Sequence, residues 1–133
     1  MKKEQNIEEI RKSAAKKADD LSLQLGKKVY PMVINTEEYG GTNGEWVVGY
    51  IKAPGLHQKG KIIDAFNTNT KTQVGIDILR SNIIKEHSDI KFTQIEGFPE
   101  NENIILGAAL FITGKGYMFS IVEQPDELKK SGE

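Results

Sequence analysis

Cysteine is absent from this chain of 133 residues. That removes disulfides, thiolate catalysis and cysteine-ligated zinc or iron–sulfur sites in one step. An excess of charge of one sign is missing too. The 18 Lys and Arg stand against 19 Asp and Glu, a formal net charge of −1, so no global field draws the chain onto nucleic acid or an anionic membrane. Long apolar runs are also lacking. The strongest, Ile104 to Ile112, is interrupted by Gly107 and falls short of the ~20 residues a bilayer span requires. The first nine residues carry lysines with no apolar stretch behind them, which is not the pattern of a signal peptide. The expectation is a protein that works in the cytoplasm where it is made, or leaves the cell by lysis or a route without a classical signal, with neither nucleic acid nor membrane as a partner.

Catalytic constellations are equally scarce. The chain has two histidines, His57 and His87, the residue type most used for proton transfer and metal ligation. Neither has another histidine three or four residues away, so metal-ligand spacing is lacking. Glu86-His87-Ser88-Asp89 holds the ingredients of a triad, but triads assemble from distant segments. A solvated helix end suits it better, because a histidine favours a helix C-terminus. Gly114-Lys115-Gly116 lacks the spacing of a phosphate loop, and Gly40-Gly41 and Asn43-Gly44 lack a βαβ context; turns explain all of them. Lys52, Lys59 and Lys61 beside Tyr50 form at most a basic spot, without the interleaved aromatics of a nucleic-acid groove. No catalytic residue, cofactor or metal site is expected.

What is present is an α+β pattern. Ile7, Ile10, Ala14, Ala18, Leu21 and Leu25 recur at helical spacing over residues 4–25, with charges opposite and Gly26 as a C-cap. Alanines thin this stripe, so the helix either lies on the domain or forms an arm whose Ile7, Ile10 and Leu21 await a partner. Residues 28–34 read as a strand, placed at an edge by Pro31. Gly44 to Pro54 holds the only tryptophan and reads as a second strand over 45–52. A polar, glycine-rich loop between them makes an antiparallel hairpin the simplest connection. Alternation places Trp46, Val48, Tyr50 and Lys52 on one face and Val47, Gly49 and Ile51 on the other. Neither face is cleanly polar, so one is assigned to the chain's own helices and the other to a partner. Trp46 and Tyr50 are the packing anchors, and with Tyr30, Ile7, Ile10 and Leu21 they are the interaction candidates; Trp46 becomes a binding hot spot if it is largely exposed. Gly49 marks a close approach or a bulge.

Helices follow over residues 56–67 and 71–85, the second burying Val74, Ile78, Leu79 and Ile83. Residues 90–98 read as irregular or as a brief strand. From Pro99 a further helix begins, with acidic residues at the positive end of its dipole. Over residues 110–122 a helix and a hairpin around Gly114-Lys115-Gly116 are evenly matched. The whole is an α+β fold, a two-stranded antiparallel hairpin packed with three to four helices. It divides into a helix or arm at 1–26, a domain at 27–125 and a disordered tail at 126–133.

Taken together, Lys28-Val-Tyr-Pro-Met-Val33, Gly44-Glu-Trp-Val-Val-Gly-Tyr-Ile-Lys-Ala-Pro54, a helix holding Lys59 to Phe66, Ile78-Leu79, Ile83-Ile84-Lys-Glu-His-Ser-Asp89 and a terminal helix near Asn101 to Gly107 resemble the tail-assembly-chaperone-like proteins of tailed-phage morphogenesis modules. The resemblance covers about residues 28 to 110 and rests on structural motifs. It implies an α+β fold ending in a helix, and it tips residues 101–123 toward helix. It implies a non-enzymatic role in tail assembly, binding tape-measure or tail-tube proteins in the host cytoplasm. Rival expectations are a minor structural component of the virion, and a small ligand-binding or enzymatic domain with loop 35–44 as a lid. A homo-oligomer is left open.

Overall fold

A computed structural model describes residues 6–37, 41–66, 68–93 and 98–121, with 115–121 by backbone alone. The chain is an α+β arrangement of four helices and one two-stranded antiparallel sheet. Helix α1 spans Ile7–Leu25, strand β1 Val29–Asn35 and strand β2 Trp46–Lys52. Helices α2 (Leu56–Ala65) and α3 (Lys71–Asn82), a 3-10 turn at Ile90–Phe92 and helix α4 (Pro99–Ile121) follow. Val29 lies opposite Lys52 and Asn35 opposite Trp46. This register puts Met32, Ile34, Val47, Gly49 and Ile51 on one face of the ribbon.

That face packs on the main core, where Met32, Val47 and Ile51 meet Ile62, Ile78, Leu79, Ile104 and Ile112. The opposite face, with Val29, Val33, Val48 and Tyr50, is covered by Ala14, Ala18 and Leu21 of α1 and by Ile84. The expected assignment of this face to a partner is therefore corrected for the stretch around Val29 and Tyr50, which α1 and Ile84 cover from within the chain. The alanines explain how, because small side chains let the helix lie close on the strands. Gly26 adopts the left-handed conformation (φ 66°) that ends α1 and sends the chain back. Ser22 Oγ then accepts the Val29 N–H at 2.9 Å, fastening helix to strand.

Helix α3 stops at Asn82, short of the expected Lys85, and Ile83 is extended (φ −62°, ψ 137°). The cause lies in β2. Its outer edge would be an unpaired row of backbone groups, costly when buried. Ile83 bridges Ile51 instead, Ile84 N–H donates to Tyr50 O at 2.8 Å, and Asp89 N–H donates to Val48 O at 2.9 Å. Residues 83–89 thus line the strand, and the expected solvated helix end is a buttress.

Helix α4 runs unbroken through Gly114, and no hairpin forms around Gly114–Gly116. Two helix-interior glycines cost about 1 kcal/mol each relative to alanine. Burial of Ile104, Ile105, Ala108, Ala109 and Ile112 offsets that cost. The buried side of α4 packs on α2, α3 and β1, while Leu106 stays exposed. Among the described residues no helix is long and apolar enough to cross a membrane. Residues 94–97, 122–125 and the tail expected at 126–133 lie outside the described residues.

Candidate functional site

An open groove of about 520 Å³ lies where α1, β2 and the buttress meet. Each wall follows from a local rule. Strand alternation turns Trp46 and Val48 toward α1, and helical spacing places Ile10 and Lys17 two turns apart on the facing helix. The buttress, which turns over residues 85–88, contributes Glu86, His87, Ser88 and Asp89.

Of the six interaction candidates, the structure brings Trp46 and Ile10 together on this groove. Trp46 is half-buried, between the packing anchor and the exposed hot spot that were the two expectations for it. Ile7, one turn before Ile10, is partly buried. Tyr50 is only 4% exposed and belongs to the core beneath α1. The Lys17 ammonium lies 5.3 Å from its ring centroid, and burial pushes the Tyr50 hydroxyl above the usual tyrosine range. Leu21 is also buried within the chain, so the stripe awaiting a partner is closed over most of its length. Tyr30 sits on the other face of the ribbon, against the main core, with Lys28 Nζ 5.4 Å from its ring centroid.

The triad ingredients have other employment. Ser88 Oγ donates to Ile84 O at 2.7 Å and accepts the Tyr50 N–H at 2.9 Å, which ties buttress to strand. Asp89 Oδ1 accepts the Lys91 N–H at 2.9 Å and so caps the 3-10 turn. His87 is exposed. Among the described residues no group of three His, Asp or Glu converges to hold a metal ion. The groove brings Ile10, Val48 and the half-buried Trp46 indole beside the charged side chains of Lys17, Glu86 and Asp89.

The loop considered as a lid is tied down where it is described. Asn35 Oδ1 accepts the N–H groups of Glu37 (2.9 Å) and Gly44 (3.0 Å), Thr36 Oγ1 accepts that of Glu45 at 2.9 Å, and Asn103 Nδ2 donates to Thr36 O at 2.9 Å. Residues 38–40 lie outside the described residues. Lys17, Val48, Glu86 and Asp89 were not among the candidates. Their role depends on the buttress, and the consecutive isoleucines at 83 and 84 before a Ser-Asp pair were the one local hint of an edge segment.

No family model, curated protein or solved structure matches this chain.

Proposed function

We propose that the chain is a non-enzymatic protein-binding module whose docking surface is the groove around Trp46. On the resemblance over about residues 28 to 110, its partners are proteins of phage tail assembly, the tape-measure or tail-tube subunits. It holds them in the host cytoplasm as a chaperone. The observation that supports this reading is the half-buried Trp46 beside Ile10 in an open groove, since tryptophan and apolar neighbours at a rimmed depression are where binding energy concentrates. The Ser88 hydroxyl, engaged by two backbone groups of the fold, supports binding over nucleophilic chemistry at the same place.

Co-expression of the tagged chain with tape-measure and tail-tube subunits tests the proposal. Wild-type protein is expected to retain a partner on affinity purification. Ile10→Lys is expected to lose it while keeping its helical circular dichroism, since Ile10 is only partly buried. A wild-type chain that stays monomeric and retains neither subunit sinks the proposal. Mass spectrometry of purified particles separates a chaperone from a minor virion component, because only the latter remains in the particle.

A further inference from the structure

The backbone edges restrict how a partner engages. The outer edge of β2 is occupied by residues 82–89, whose Asn82 Nδ2, Ile84 N–H and Asp89 N–H bond to the carbonyls of Lys52, Tyr50 and Val48. The outer edge of β1 is blunted, because Pro31 has no N–H and that of Val29 is taken by Ser22. Recognition by strand addition is thereby disfavoured. A partner enters through side chains at the groove.

The charges around that groove are unequal. Glu86 and Asp89 stand on the buttress wall, and Lys17 is the cation on the helix wall, already over the Tyr50 ring. Asp89 spends one carboxylate oxygen on the 3-10 turn and keeps the other. Glu86 is exposed and has no ion pair among the described residues. Of the neighbouring cations, Lys91 Nζ lies 3.8 Å from Glu45, and Arg11 lies 3.9 Å from Glu8. Apolar side chains beside an acidic surplus select a complement that is apolar and basic.

We infer that the groove takes a basic–apolar peptide segment of the partner. An aliphatic or aromatic side chain packs on Trp46, Ile10 and Val48, and flanking Lys or Arg residues reach Glu86 and Asp89. This rests on the protein-binding reading and adds the chemistry of the partner's segment. Because Trp46 is the only tryptophan in the chain, its emission reports occupancy directly.

The test titrates full-length protein with two short tryptophan-free peptides sharing a central Leu-Phe pair, flanked by lysines in one and by glutamates in the other. The lysine peptide is expected to shift Trp46 emission and to bind about tenfold tighter than the glutamate peptide. That ratio should shrink as salt shortens the screening length from about 10 Å at 0.1 M to about 3 Å at 1 M. Glu86→Lys, at an exposed position, is expected to abolish the preference without changing the unfolding midpoint. If both peptides bind equally, or Glu86→Lys leaves the preference intact, the charge selection is overturned and the protein-binding reading stands. If neither peptide alters the emission, the groove is not the docking surface, and both are overturned.

Discussion

At Gly75 the backbone of α3 lies close against that of α4 at Ala109. A Cβ there would lie 2.5 Å from the Ala109 carbonyl oxygen, which no side-chain rotation relieves. Gly75→Ala therefore forces the helices apart and is expected to cost about 1–3 kcal/mol. Gly60, in the interior of α2, has open space where its Cβ would be. Gly60→Ala is expected to stabilise by about 0.5–1 kcal/mol, since glycine loses more chain entropy in a helix. Urea midpoints at unchanged slope check both, and equal shifts of the same sign would contradict the helix contact. Tyr50 supplies a second residue-scale expectation. Its folded value is raised by burial, so the folded state binds the phenolic proton more tightly than the unfolded chain does. Its contribution is fully present below about pH 10 and is lost as pH rises through the raised folded value. Tyr50→Phe should flatten that part of the stability–pH curve, as seen by thermal melts across pH 9–11.

Among the elements, the buttress decides most. It is neither helix nor strand over most of its length, yet it satisfies the exposed side of β2 and builds one wall of the groove. Ser88→Ala would leave the Tyr50 N–H without its acceptor. A buried donor left unpaired costs about 1–3 kcal/mol. Amide exchange should accelerate at Tyr50 and Ile84, and unchanged protection at both would show that the serine is dispensable there. The start of this segment is secured separately. Gln58 and Asn82 exchange amide hydrogen bonds at 2.9 Å each, and Asn82 Nδ2 also reaches Lys52 O at 3.1 Å, so α2, α3 and β2 meet at one polar clamp. Such a clamp explains why the helix ends at residue 82 rather than running on.

For the whole molecule, the ribbon is the middle layer. Helix α1 covers one face and α3 with α4 cover the other, so the two apolar clusters share the same strands. Neither cluster loses its cover without exposing β1 and β2. Unfolding followed by Trp46 emission, which sits at the α1 side, should coincide with unfolding followed by far-ultraviolet circular dichroism, which is dominated by the helices. An earlier Trp46 transition would mean that α1 detaches as a separate unit.

Periodicity alone was enough to read several features of this chain. The stripe from Ile7 to Leu25 with Gly26 behind it makes a helix wherever it lies, because its spacing and cap are local properties. The alternation of 46–52 and the turn-rich loop before it likewise make a hairpin, and Pro31 marks its edge. Gly49 was legible as a close approach, and the structure supplies the neighbour, with the Phe92 ring 2.8 Å from where a Cβ would stand. Other outcomes depended on distant partners. Whether α1 covers the ribbon depends on how closely two alanines let it approach. Where α3 ends depends on the unpaired edge of β2, some thirty residues earlier in the chain. Whether the chain continues as a helix beyond residue 110 depends on the apolar surface of α2, α3 and the sheet that buries Ile104, Ala108 and Ile112. The groove belongs to this second group. Its walls come from three segments far apart in sequence, and only their packing sets Glu86 and Asp89 beside Trp46.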